Sequence, residues 1–183
     1  VSNFVSDLNF FGVMEVEKGD IWWWLARSTA ALFVGLSGFS YFLAHREEHI
    51  FSKTFKRTQR LILWAFVITV MTFLFEPNAY VRFGVLHLLA FASIVAFPIV
   101  RKPLVAFIVG LFFLFIPLFS NENLVWLGLS ETGLLAVDYF PLNPWLGIFF
   151  ICIGLSSQIY PEGKSLFEIE WPEKWLLLGK NTL

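Results

Sequence analysis

The fold class this sequence predicts is an all-α, polytopic helical membrane bundle. It is expected to be one domain over residues 1–183, with about six spans present and both ends incomplete. Three observations carry that expectation. Residues are 57% hydrophobic and only 15% charged, whereas soluble domains carry about 25% charged residues. The 23 Phe and 8 Trp suit a lipid-facing surface with aromatic anchors at its edges. Mean hydropathy is +0.71, and the apolar residues gather in runs separated by short polar stretches. Net charge of −1 identifies no partner, because the charges are sorted by side. The single Cys152 excludes a disulfide framework or a cysteine metal site within one chain, and it reads as a small buried apolar residue.

The spans follow in order. Val1 to Val5, which open without Met, read as the tail of a first span, and Ser6 to Asp20 form an acidic loop holding Asp7 and Asn9. The second span covers 21–44 and opens on Trp22-Trp23-Trp24. Its Arg27, Ala31, Gly35 and Gly38 follow helical spacing, and such small-residue stripes face other helices. Arg27 then either points into the bundle, with Asp7, Asp20, Glu76 or Asp138 as acceptor, or snorkels to anchor the helix end. His45 to Arg60 is the most basic stretch and reads as a short amphipathic surface segment. His45 and His49 have metal-ligand spacing, but no third ligand accompanies them, and no metal is expected.

The third span covers 61–75, with Thr69, Thr72 and Glu76 on one face, and Pro77 ends it. The fourth covers 80–100 and stops at Arg101-Lys102-Pro103, and the fifth covers 104–119. Ser120 to Asn143 is a long loop without Lys or Arg, in which Leu124 to Val137 is apolar enough to be re-entrant or interfacial. The sixth span covers 144–159, with Gly147 and Gly154 on one packing face. An interfacial tail follows, and it ends on Trp175-Leu-Leu-Leu-Gly as if another helix were about to begin.

Orientation follows from Lys and Arg. With the 45–60 loop cytoplasmic and the 120–143 loop outside, ten of the 13 basic residues fall on the inner side, as the positive-inside rule requires. The chemistry-bearing residues then collect on the outer half. Tyr80, Gly84 and His87 lie at i, i+4 and i+7, on one side of a helix that starts at Tyr80, placing His87 about 10 Å below that start. An ionisable group at such depth is a functional-site candidate, or else structural glue between helices. Read as a catalyst, His87 acts as general base or acyl carrier. Asp138 or Glu76 orients its ring, and Arg27 or Tyr80 stabilises an oxyanion. Asp7, Asn9, Glu76, Tyr139 and Trp145 are the substrate-facing candidates on that side. The basic inner rim, with Arg57, Arg60, Arg101 and Lys102, suits an anionic cytoplasmic donor.

Four stretches carry a resemblance: 7–13 (DLNFFGV), 24–40 (WLARSTAALFVGLSGFS), 80–87 (YVRFGVLH) and 138–147 (DYFPLNPWLG). In that order they resemble the catalytic-domain family of heparan-α-glucosaminide N-acetyltransferase, specifically its smaller prokaryotic relatives. The resemblance implies a transmembrane acyltransferase in a prokaryotic cell membrane. Its donor is acetyl-CoA, and its acceptor is an amine or hydroxyl of a glycan or lipid-linked sugar on the far side. One departure stands out: the lysosomal enzyme keeps its catalytic histidine in the first outer loop, and residues 6–20 here hold none. Only the reaction class is therefore carried over, with His87 as the candidate. A non-catalytic membrane scaffold and a small-molecule transporter are the alternatives. The expected partners are lipid, acyl-CoA and the sugar acceptor, with no nucleic acid and room for a homo-oligomer.

Overall fold

A computed structural model describes residues 20–46, 51–78, 80–130 and 138–161. The expected first span, the loop with Asp7 and Asn9, His49, residues 131–137 and the tail beyond 161 lie outside the described residues. Among those described, the fold is all-helical. The helices are α1 (Ile21–Arg46), α2 (Phe51–Phe75), α3 (Val85–Ala96), α4 (Pro103–Phe115) and α5 (Leu142–Ile159), with a 3-10 turn at Glu122–Leu127.

α5 is the centre of the bundle, packed against α4 and α1 and more lightly against α3. Glycine makes this possible on two sides. Gly147 and Gly154 face α4: a Cβ on Gly147 would lie 2.7 Å from Leu114, and one on Gly154 2.7 Å from Phe107. Gly38 of α1 meets the α5 backbone itself, where a Cβ would fall 2.3 Å from the Phe149 carbonyl oxygen. Such contacts let helix backbones approach closely, which is how dispersion holds helices together where solvent supplies no hydrophobic drive. Between these helices lies a core that includes Val34, Leu88, Leu146, Phe149, Phe150 and Ile153.

α2 stands apart and packs chiefly on α3. Its lower end is clamped to α1 by buried His45. That ring donates from Nδ1 to the Tyr41 carbonyl (2.8 Å), and its Nε2 lies 2.6 Å from the Thr54 hydroxyl. Both ring nitrogens are therefore engaged, and the His49 paired with it by spacing lies outside the described residues. The ring also meets Phe97 edge-on at 6.2 Å, so the end of α3 lies beside the end of α1.

Several expectations are corrected. The basic stretch expected as a separate surface segment runs into the third span as one 25-residue helix. No Gly or Pro interrupts 51–75, and Thr54 and Thr58 turn inward while the charges stay exposed. The fourth helix starts at Val85, not Tyr80. Residues 81–83 give their backbone groups to tertiary bonds: Val81 N–H donates to Thr72 Oγ1 (3.1 Å), and the Phe83 carbonyl accepts from Phe140 N–H (2.9 Å). Tyr80, Gly84 and His87 consequently share no helix face, and His87 sits in the first turn of α3. That helix gives way to a turn at Phe97 because Pro98 has no N–H to continue it. α4 ends at Phe115, since Ile116 precedes Pro117 and is extended.

Among the described residues two helices, α2 and α5, are long and apolar enough to cross a membrane, against the six spans expected. α3 and α4 have 12 and 13 residues, short of the roughly 20 that a crossing needs. α1 is long enough, but its Ser, Thr and Gly stripe dilutes its apolarity.

Replacing Gly38 with Val forces α1 off α5 and is expected to cost about 1–3 kcal/mol, the range of overpacking a tight interface. The check is the unfolding midpoint of the purified protein beside exposed Ser40→Ala on the same helix. Equal midpoints would contradict the α1–α5 contact.

Candidate active site at the start of α3

The first N–H groups of a helix have no partner within it, and the start of α3 finds its partners in two side chains. Gly84, the N-cap residue, donates its N–H to Nδ1 of His87 at 3.2 Å. Val85 donates its N–H to Oδ2 of Asp138, also at 3.2 Å. His87 thus plays the return half of a capping box, a role usually taken by Glu or Gln at this position. A Cβ on Gly84 would lie 2.5 Å from Asp138 Oδ2 and 2.8 Å from Val81 Cγ1, so a side chain here would displace the carboxyl that holds Val85.

The bond fixes the ring. A peptide N–H can only donate, so Nδ1 is the acceptor and the proton of the neutral ring is on Nε2. Nε2 points toward Thr69 of α2, 3.5 Å away, too long for more than a weak bond. Sequence reasoning assigned the orienting task to Asp138 or Glu76, and the backbone performs it instead.

Below Nε2 opens a cavity of about 450 Å³ between α2 and α3. His87 and Thr69 are its polar residues, with Phe83 and Trp126 beside them and Ile62 and Ile94 at the far end. Trp126 belongs to the 3-10 turn and has no distinguishing signal in sequence. It is placed by Gly128, whose left-handed φ of 66° closes the turn against Phe83.

The remaining candidates divide. Tyr80 is close to the cavity head: its ring meets Phe73 at 5.1 Å and Trp126 at 6.0 Å, with the Arg82 guanidinium 4.8 Å above it. Glu76 is half-buried just past the end of α2. Tyr139 has its hydroxyl spent, donating to the Ser130 carbonyl (2.9 Å) and accepting from Ser130 N–H (3.2 Å). Burial raises the Tyr139 hydroxyl above its ordinary pKa, and the Ser130 bond partly offsets this. Arg27 is exposed, its guanidinium 5.1 Å from the centre of the Trp23 ring on its own helix and 5.6 Å from that of Trp145 on α5, so its neighbours are aromatic faces. Trp145 is 4% exposed, and its Nε1–H has no acceptor among the described residues. Asp7 and Asn9 lie outside the described residues.

A second cavity, of about 360 Å³, lies at the other end of α1, lined by Arg46, Arg101 and Ser157 among others. Arg46 donates to the Tyr160 carbonyl (2.8 Å), and Arg101 donates to the Arg46 carbonyl (3.3 Å). Of the four basic residues expected to hold an anionic donor, only Arg101 lines this cavity. Arg57 lies over Tyr41 (5.9 Å), Arg60 is exposed on α2, and Lys102 caps α4. Arg46, which lines the same cavity, was counted in the basic inner rim but not singled out as a candidate.

The family described as heparan-alpha-glucosaminide N-acetyltransferase, catalytic, matches residues 1–183. The chain belongs to that family. An acetyltransferase-type function goes with the heparan-alpha-glucosaminide N-acetyltransferase match, in agreement with the resemblance carried by residues 80–87 and 138–147. No curated protein and no solved structure matches the chain.

Burial raises the Asp138 carboxyl above its ordinary pKa, and the bond from Val85 offsets part of this. With the folded pKa above the unfolded one, the folded protein holds more protons through that window, and stability falls as pH rises from about 4. Asp138→Asn keeps an oxygen for Val85 and removes the titration. The variant's unfolding midpoint, measured relative to wild type, should therefore climb between pH 4 and pH 7. A difference independent of pH would contradict the burial of a titrating carboxyl.

Proposed function

We propose that this chain is a transmembrane acyltransferase that moves an acetyl or acyl group from cytoplasmic acyl-CoA to a sugar amine or hydroxyl outside. The observation that carries the reading is the fixed Nε2–H of His87 at the head of a cavity, with the half-buried Asp138 carboxyl bonded to Val85 at the same helix start. Both lie in a chain matched end to end by an acetyltransferase family. The polytopic bundle, the positive-inside orientation and the prokaryotic cell membrane belong to the same proposal. The apolar faces of α2 and α5 and the sorting of the basic residues support them.

The acceptor nitrogen or oxygen attacks the thioester carbonyl, its bond to the acyl carbon forms, and the C–S bond breaks. His87 donates Nε2–H to the carbonyl oxygen as negative charge builds there, a preorganised donor of the oxyanion-hole kind. Asp138 accepts the proton the acceptor loses, and that proton leaves on the CoA thiolate. The balance is acyl-CoA plus acceptor to acylated acceptor plus CoA. Tyr80 and Glu76 flank the acceptor, while Arg46 and Arg101 hold donor phosphates at the inner end.

In this arrangement His87 does not carry the acyl group, since its Nε2 lone pair is absent in the tautomer the backbone imposes. Full-length protein in lipid nanodiscs, given radiolabelled acetyl-CoA and a panel of amino sugars, should release CoA without retaining label. His87→Ala should lower kcat by about 10²–10³, the effect of removing one oxyanion donor. Its unfolding free energy should drop by only the ~1 kcal/mol of a lost cap. Arg46→Ala should instead raise KM for acetyl-CoA. Label on wild type that disappears in His87→Ala would restore the acyl-carrier role, and no CoA release with any acceptor would sink the enzyme reading.

A further inference from the structure

The cavity between α2 and α3 is polar at one end only. His87 and Ile94 are seven residues apart on one wall, as are Thr69 and Ile62 on the other, so the cavity runs for about 10 Å along both helices. Its volume of about 450 Å³ is within the ~300–1,000 Å³ of small-ligand sites. Beyond His87 and Thr69 the walls are hydrocarbon and aromatic, with Ala65 and Ala90 leaving the width between them. Phe66, Phe91, Ile62 and Ile94 are exposed along its open side, so the cavity opens laterally onto the apolar surface of α2 and α3.

We infer that this cavity binds the hydrocarbon chain of the acceptor, which is a membrane-borne amphiphile such as a lipid-linked sugar rather than a free polysaccharide. The inference rests on the acyltransferase reading. The chain lies along α2 and α3, and its first polar atom meets the Thr69 hydroxyl, which leaves Nε2–H of His87 to the thioester carbonyl. The direction of polarity decides between acceptor and donor. The polar head is at the start of α3, the end away from the basic cavity. His45 and Phe97 place the end of α3 beside the end of α1, where Arg46 and Arg101 lie. A lipid with its head on the outer side enters head-up, as the cavity requires. A long acyl chain on a donor that reaches His87 from Arg46 would have to turn back on itself to lie in the cavity.

The test compares methyl and decyl glucosaminide as acceptors in nanodiscs of phosphatidylcholine, with acetyl-CoA and decanoyl-CoA as donors. Wild type should favour the decyl acceptor by at least tenfold in kcat/KM. Ala90→Leu, and independently Ala65→Leu from the opposite wall, should bring that ratio close to one. A ratio near one in wild type overturns the inference, as does a chain-length preference that follows the donor. A second readout needs no turnover: decyl glucosaminide with a diazirine at its chain end is photocrosslinked and mapped by mass spectrometry. Label concentrated near Ile62 and Ile94 in wild type, and lost in both variants, supports the cavity even where no acceptor is acylated, which separates its fate from that of the enzyme reading. Label spread over all exposed apolar positions and unchanged in the variants overturns it.

Discussion

The start of α3 has to find partners for N–H groups that its own helix cannot serve, and much of the molecule is arranged around that need. An unpaired buried amide costs about 1–3 kcal/mol, so each of these bonds is a constraint on whatever supplies it. Gly84 takes His87 from within the helix, while Val85 takes Asp138 from a segment 53 residues on. The preceding residues reach further: Val81 to Thr72 on α2, and Phe83 to Phe140 just before α5. Leu142 N–H then closes onto the Gly128 carbonyl, which fixes the 3-10 turn that carries Trp126. One short stretch of backbone thereby joins α2, α3, the 3-10 turn and α5, and the groups that join them are the candidate catalytic groups.

The packing explains why a cavity remains beside this junction. Gly38, Gly147 and Gly154 let α1 and α4 close onto α5 at backbone distance. α2 has no glycine, and it is held at its base by the His45–Thr54 bond and at its top by the Thr72–Val81 bond. Between those two clamps it faces α3 across Ala65 and Ala90, side chains too small to fill the space. The same distribution of small residues makes the dense half of the bundle and the open half.

The small-residue stripes were legible in the sequence, because their spacing is a property of one helix and its consequence is a close neighbour. Gly35, Gly38, Gly147 and Gly154 all face other helices. His87 and Asp138 were read as partners, and each bonds a backbone N–H at the start of α3. The place of His87 in its helix was not legible. Helical spacing from Tyr80 assumed that residues 80–84 spend their backbone groups on each other, and tertiary bonds to Thr72 and Phe140 compete for them. Arg27 was read either as a buried ion-pair partner or as a snorkelling anchor, and its guanidinium is exposed between the rings of Trp23, one turn back on α1, and Trp145 of α5. The basic inner rim was legible as a side but not as a site: Arg46 and Arg101 converge because α1 ends where α4 begins.

The locked ring bears on the order of chemical events. For His87 to carry an acyl group, its proton would have to move to Nδ1, which would leave the Gly84 N–H unpaired at the start of a helix. That loss of about 1–3 kcal/mol would fall on every turnover. As an Nε2–H donor the ring pays nothing, since it is already aimed before substrate arrives, and preorganisation of this kind is the largest electrostatic contribution available to an acyl-transfer site. Direct transfer requires donor and acceptor to be present together. In the proposed reading the acceptor cavity runs along α3 from His87 to Ile94 and the basic cavity lies beyond the end of α3, which at 12 residues is about 18 Å long. A donor held at Arg46, as proposed, would have to cover about that length, because the backbone fixes the histidine where it is.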